Sequence, residues 1–387
     1  MNTACRLCGS SHIDKKYRIC TNMKIMGESF GGGDCWISQC QECGFVFHVF
    51  SEAGQKEFTD YYRFSSRTVN YSEVYTKEQT DGYLRHLEEL IEKCQNGRDK
   101  NIRILDIAGG YGELSLFLMQ SGYTDVTMSE IKESCISYAR QKGVSVLHED
   151  LLEKEFARKH DIVILSHDLE HMLDVRKAML NAAEYLKDDG FLILELPFAP
   201  MYKEMDNTPY HFLTYEHVCH FSDITVENLA SVAGLKIMEK GHYVKCDDYP
   251  CIWAILKKDS SVSPLIRKDA DTWEDIYAYI KICGKQIQQK LKPLAERRKA
   301  LILWGIGAST AILLDSAFGG CNVIQLIDKN KARQGNVFEI NGRKLAVEPP
   351  EQITDSSAAV FILSGAYRAS IEKDIRQMGL NNEIMSL

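Results

Sequence analysis

The residues best able to do chemistry fall into two polar segments and one matched pair of motifs. Tyr215, Glu216 and His217 stand together in the stretch Phe212 to Ser222, and a phenol, a carboxylate and an imidazole form a plausible acid/base set. Ser166, His167, Asp168, Glu170 and His171 follow the apolar run Asp161 to Leu165. His167 and His171, four positions apart, could also be a metal pair, for which the sequence shows no third ligand. Cys5-Arg6-Leu7-Cys8-Gly9 and Cys40-Gln41-Glu42-Cys43-Gly44 are matched knuckles that can each put two thiolates on one metal. The thiolates of Cys5, Cys8, Cys40 and Cys43 suit tetrahedral Zn²⁺ with no open position, hence a structural site. Redox or disulfide pairing is the alternative. Cys20 and Cys35 read as bystanders.

Ahead of the two polar segments in the chain, Ile102 to Leu105 runs apolar into Asp106. A turn of Gly109, Gly110, Tyr111 and Gly112 follows, and then the helical pattern Leu114, Leu116, Phe117, Leu118. Strand, glycine turn and helix open a parallel α/β sheet. A second strand, Asp125 to Met128, ends at Glu130, and a third, Val144 to Leu147, ends near Glu149 and Asp150. Acids are thus delivered to the edge where open α/β sheets bind ligands. NAD prefers Gly-x-Gly-x-x-Gly, but Ser115 stands at the third position and Asp106 would repel a pyrophosphate. S-adenosylmethionine (SAM) has no phosphate and carries a positive sulfonium and ammonium. Glu130 suits its ribose hydroxyls and Asp150 its adenine amine. The expected cofactor set is Asp106, Gly109, Gly110, Gly112, Glu130, Asp150 and Ser166. This spacing resembles the class I SAM-dependent methyltransferases; an NAD site or an empty structural sheet are the alternatives.

A chain of 387 residues has room for two or three domains, and its charged content of 26% is ordinary for a globular protein. A net charge of −8 gives no general attraction to nucleic acid or to an anionic membrane. No apolar run approaches a membrane span, and the N-terminus lacks a basic-then-apolar signal, so a cytoplasmic protein is expected. Its 13 cysteines are then mostly thiols or metal ligands.

Along the chain, Gly31, Gly32 and Gly33 read as a hairpin or loop, and Phe45, Val46, Phe47, Val49 and Phe50 as a strand docking the cysteine module. Phe58, Tyr61, Tyr62, Arg63, Phe64 and Arg67 form either a packing surface or a pocket wall meeting phosphate. Thr76 to Cys94 is a helix, Asp161 to Leu165 a fourth strand and Phe191 to Leu196 a fifth. Phe212 to Ser222 reads as a loop at the cofactor edge, too polar for core, before the helix Val226 to Ala233. Ile237-Met238 and Cys251 to Leu256 close the sheet. Lys257 to Asp269 is a linker, and Trp273 to Lys299 one helix interrupted near Pro293. A second α/β unit then begins: Ala300 to Trp304, the turn Gly305 to Thr310, Val323 to Ile327 ending in Asp328, and Ala359 to Leu363. It is a nucleotide-binding-like half-sheet or an empty scaffold. The expected fold is α/β: a Rossmann-like class I SAM-methyltransferase sheet (71–258), a small zinc-binding module (1–70) and a C-terminal α/β domain with a leading helix (259–387).

With both ends read, the chain resembles the three-domain sugar C-methyltransferases, which act on nucleotide-linked 4-keto-deoxysugars. Trp304-Gly305-Ile306-Gly307-Ala308 and Asp328 to Gly335 are similar to that family's C-terminal signatures. Its catalytic loop reads Tyr-His-Glu-His before an aromatic and Phe-Ser. Glu216, His217, Phe221 and Ser222 match, while Thr214 replaces the tyrosine and Tyr215 the histidine. His171 matches a family active-site histidine. The resemblance implies C-methylation through an enolate, with His217 as base and Glu216 orienting it. His171 or Tyr215 would donate to the enolate oxygen, and the C-terminal domain would hold the nucleotide. The expected partner is a small molecule, a nucleotide-linked sugar by the resemblance, with no nucleic acid or membrane, in a monomer or homodimer. The alternatives are O- or N-methylation of a sugar nucleotide or other metabolite, a SAM-binding scaffold, and a second, NAD site at the C-terminal glycine turn.

Overall fold

The computed structural model describes residues 4–386, apart from 20–23, 26–27, 30–34, 53, 57, 60–74, 96, 98, 154–157, 207, 307–313, 315–316, 332 and 364–367. Cys20, Gly31 to Gly33, Tyr61 to Phe64, Arg67 and Gly307 to Thr310 therefore lie outside the described residues.

Among the described residues the strands form three sheets and a two-stranded ribbon, β2 (Lys24–Ile25) with β3 (Glu28–Ser29). The N-terminal sheet is antiparallel and joins β1 (Ile13–Ile19), β4 (Cys35–Cys40) and β5 (Val46–Phe50). Phe45, Val46 and Phe47 are fully buried on it, as the apolar run predicts. Its fourth strand comes from far along the chain: β11 (Cys219–His220) pairs Cys219 with Phe47 and His220 with Val46.

The central sheet contains β6 (Arg103–Ile107), β7 (Asp125–Glu130), β8 (Ser145–His148), β9 (His160–Ser166), β10 (Leu186–Pro197), β12 (Leu235–Lys245) and β13 (Tyr249–Lys258). Its order is β12-β13-β10-β9-β6-β7-β8, with β13 inserted antiparallel between β10 and β12. This is the class I SAM-methyltransferase sheet that the glycine turn led one to expect. Helix α1 (Lys77–Gln95) turns Tyr83, Leu84, Leu87, Leu90 and Ile91 inward at helical spacing. Helices α2 (Glu113–Gln120), α3 (Glu133–Gln141) and α4 (Val175–Glu184) follow their strands as crossovers. Helix α5 (Asp223–Val232) is opened by a capping box of Ser222 and Thr225.

Two expectations change. Phe212 to Ser222 is not too polar for core: Phe212, Leu213, Tyr215, Val218, Cys219, His220 and Phe221 are buried. Apolar and ionisable side chains interleave there, and Phe212 stacks on Tyr202 with ring centroids 4.3 Å apart. Nor is the segment before the last domain a free linker, because Asp269 is buried and accepts from the hydroxyls of Ser222 and Thr272.

Helix α6 (Thr272–Glu296) runs through Pro293 without a break. The proline falls in its last turn, so the donor it lacks and the crowding of its ring fall where the helix is about to end, at Glu296. The C-terminal sheet contains β14 (Ala300–Trp304), β15 (Asn322–Ile327), β16 (Val337–Ile340), β17 (Arg343–Glu348), β18 (Ala359–Ile362) and β19 (Ile384–Ser386). Its order is β16-β17-β15-β14-β18-β19, parallel except for β16, with α7 (Arg368–Gln377) between β18 and β19. Among the described residues, no helix is long and apolar enough to cross a membrane.

Candidate active site

The turn after β6 is shaped by backbone that few side chains tolerate: Ala108, Gly110 and Gly112 have φ of 53°, 56° and 80°. A Cβ on Gly109 would stand 2.8 Å from Asp106 Oδ2, so the turn closes directly over that carboxyl. Asp106 is buried and accepts from the Ser115 hydroxyl at 2.9 Å. Burial lifts its pKa to about 7, against the lowering effect of Ser115. Glu130, at the end of β7, ties the turn to the next strand. Its Oε2 accepts from the Gly110 amide at 3.0 Å, and its Oε1 from the amides of Ile131 and Lys132 at 2.7 and 2.9 Å. A carboxylate held by three amides is fixed in place with lone pairs left for a ligand's hydroxyls. Asp150 follows β8, half-buried, and accepts from the Leu152 amide at 2.8 Å. Asp106, the three glycines, Glu130, Asp150 and Ser166 thus all stand at the carboxyl ends of neighbouring parallel strands. Acids and bare amides of this kind fit the cationic, phosphate-free SAM, whose sulfonium supplies the methyl group when bound.

Past Ser166 lies a network that the sequence reading missed. The Ser166 hydroxyl meets Tyr83 Oη of α1 at 2.8 Å and donates to Glu195 Oε1 of β10 at 3.1 Å. Glu195 is fully buried; its Oε2 accepts from Tyr243 at 2.8 Å, and His167 Nε2 stands 2.9 Å from its Oε1. Burial works to raise the Glu195 pKa, but the bond from His167 outweighs it and holds the group at about 2. His167 has a φ of 57°, a strained conformation for a non-glycine residue, and its Nδ1 lies 3.5 Å from Glu170 Oε1. Burial opposes charge on His167, but Cys251 and Glu170 outweigh it and raise its pKa well above the usual imidazole range. The one available signal was a lone acid, Glu195, inside the apolar run Phe191 to Leu196.

The acceptor side comes together across the chain. Glu170 and His171 lie in the 3-10 turn Leu169–His171 after β9. His171 Nδ1 donates to the backbone carbonyl of Glu216 at 2.8 Å, and the His171 and His217 rings are 5.1 Å apart, edge to face. Burial, and then His171 and His211, keep the pKa of His217 well below the usual imidazole range. Tyr215 Oη donates to Glu216 Oε1 at 3.1 Å. All four expected catalytic residues are therefore neighbours, and Tyr215 is bonded to the Glu216 carboxylate.

Residues 76–240 match a family model described as a methyltransferase domain. That stretch is a methyltransferase domain. Among curated proteins, none matches the chain in sequence. Solved structures resemble it loosely. Magnesium protoporphyrin IX methyltransferase from Synechocystis, with bound SAM, is 18% identical over 53% of this chain and 97% of that one, with a TM-score of 0.38. A SAM-dependent methyltransferase from Leishmania major is 15% identical over 52% and 82%, with a TM-score of 0.42. One from Clostridium acetobutylicum is 16% identical over 53% and 99%, with a TM-score of 0.37. At such scores the likeness carries no weight for substrate or mechanism.

Beside the methyltransferase domain, the four knuckle thiols form a compact cluster. Cys5 and Cys43 Sγ are 3.6 Å apart, Cys8 and Cys40 Sγ are 3.5 Å apart, and all four sulfurs lie within 4.8 Å of one another. Zn–S bonds of about 2.3 Å in a tetrahedron put sulfurs roughly 3.8 Å apart, so the cluster fits that ion. Cys35 lies outside the cluster, as expected of a bystander. The Cys43 thiol, against burial, lowers the pKa of Cys5 to about 5, while burial pushes that of Cys8 up to about 12.

Proposed function

We propose that this methyltransferase moves the SAM methyl to the carbon beside the ketone of a nucleotide-linked 4-keto-deoxysugar, through an enolate. What supports the reading is the convergence of His171, Tyr215, Glu216 and His217, from two distant segments, next to the strand end that carries Ser166. Carbon methylation needs a group to take the α-proton and another to hold the enolate oxygen, and this set offers both. Glu130 and Asp150 hold ribose and adenine, within a cradle completed by Asp106, Gly109, Gly110, Gly112 and Ser166. Zinc on Cys5, Cys8, Cys40 and Cys43 is structural. The modules divide at 1–70, 71–258 and 259–387, and the last binds the nucleotide of the acceptor.

The test is mass spectrometry of SAM-dependent products from dTDP-, GDP- and CDP-linked keto-sugars deuterated beside the ketone. A methylated product that has lost one carbon-bound deuterium supports the reading. A methylated product that keeps every deuterium moves the acceptor to oxygen or nitrogen. His217→Asn should lower turnover by about 10²–10⁴ and leave SAM affinity unchanged.

A further inference from the structure

We propose that Glu170, His171 and His217 bind one divalent metal ion, manganese or zinc in class, which holds the oxygen of the methyl acceptor. The proposal deepens the methyl-transfer reading above and rests on it for the identity of that oxygen.

Glu170 is fully buried, and among the described residues neither carboxylate oxygen has a hydrogen-bond partner. The nearest imidazole nitrogens stop short of it, His167 Nδ1 at 3.5 Å and His171 Nε2 at 3.9 Å from Oε1. The one charged neighbour of this buried carboxylate, His167, is shared with Glu195, which it meets more closely at 2.9 Å, so the site holds two carboxylates for one imidazolium and a further cation would complete it. The hydrogen bonding of His171 supplies an independent constraint. Its Nδ1 faces the Glu216 carbonyl at 2.8 Å. A carbonyl only accepts, so Nδ1 carries the hydrogen and the other nitrogen turns toward Glu170. Metal-bound histidines are commonly oriented in this manner by a backbone carbonyl. His217 adds a third donor, and its Nδ1 is also buried without a hydrogen-bond partner among the described residues.

One ligand atom from each of Glu170, His171 and His217 lies within 4.8 Å of the others. Metal bonds of about 2.0–2.2 Å place ligand atoms roughly 3 to 4 Å apart, so modest side-chain rotation closes the site. Two imidazoles and one carboxylate leave coordination positions open, unlike the closed four-thiolate cluster. An open position at the acceptor side is where a ketone oxygen would bind. The ion would then offset the charge that gathers on that oxygen as the α-proton leaves. The proton passes to Glu216, and the carbon takes the methyl from the sulfonium, releasing a neutral thioether. In this arrangement His217 is a ligand, rather than the base implied by its match to the family loop.

The test uses the full chain and Mn²⁺ alone, read by the loss of the free-ion EPR signal; manganese prefers oxygen and nitrogen to thiolate, so the cysteine cluster stays silent. The wild type should bind one equivalent. Glu170→Gln and His171→Asn should each weaken binding at least a hundredfold, while SAM calorimetry and melting temperature verify that both variants are folded. With a keto-sugar acceptor, chelation should abolish turnover and Mn²⁺ should restore it. Failure of the wild type to bind Mn²⁺, or binding that survives both substitutions, overturns the site. Turnover that ignores chelation overturns its role in the reaction. Because Mn²⁺ binding is read without an acceptor, failure of the keto-sugar reading leaves a separate record.

Discussion

The Arg6 guanidinium donates to the backbone carbonyl of Val218, 3.0 Å away and 212 positions along the chain. The same group reaches the His48 carbonyl at 2.6 Å and Cys219 Sγ at 3.4 Å. Arg6 stands between two knuckle cysteines, and Val218 directly follows His217. The Val218 carbonyl also accepts from the His48 amide at 2.9 Å. The thiol module and the loop carrying His217 are thus one hydrogen-bonded unit, which would couple the knuckles to the proposed chemistry.

Arg6→Ala should accordingly lower kcat by roughly ten- to a hundredfold through misplacement of the loop. SAM affinity and zinc content should stay as in wild type, because Arg6 touches neither. Steady-state kinetics beside calorimetry checks this; an unchanged kcat would mean that the loop holds itself.

Cys8→Ser combined with Cys43→Ser should remove one zinc equivalent per chain, measured by elemental analysis, and lower the melting temperature. A doubly substituted protein with wild-type stability would show that the cluster does not hold the module together.

Glu130→Ala removes the acceptor of the Gly110, Ile131 and Lys132 amides along with the expected ribose contact. Hydrogen bonds to charged groups are worth about 1.5–3 kcal/mol, so SAM should bind roughly ten- to a hundredfold more weakly. An unaltered isotherm would remove Glu130 from the cofactor site.

Asp106 gives a pH dependence with a definite sign. Burial raises its pKa from 3.8 to about 7, so the folded chain keeps a proton that the unfolded chain releases within that window. Stability from this group is fully present below pH 3.8 and is lost as the pH climbs to about 7. Asp106→Asn cannot ionise and should flatten that decline. Melting temperatures of the two proteins across the window provide the comparison, and parallel slopes would refute the assignment.

Gly44 has a φ of 75°, and a Cβ there would overlap the backbone carbonyl of Asp269. Gly44→Ala should destabilise the chain by about 2–4 kcal/mol through left-handed strain and forced displacement of that segment. Denaturant melts would detect it; a loss under about 0.5 kcal/mol, the usual size of an innocuous surface change, would contradict the packing.

The knuckles, the glycine turn and the acids ending β7 and β8 were legible in the sequence because each is local. Two cysteines three apart, a left-handed glycine or an apolar run ending in glutamate states its geometry within a few residues. The places of the central strands along the chain followed from the same short-range patterns. The placement of Phe212 to Ser222 did not. Its ionisable residues suggest solvent, yet β11 pairs with β5 and Phe212 packs on Tyr202. Glu195 and Glu170 flank His167, and His171 reaches Glu216 across 45 positions. Whether a charged side chain can be buried depends on the partner that meets it there. That partner comes from another strand or loop, so tertiary structure alone decided which histidines and carboxylates share the site.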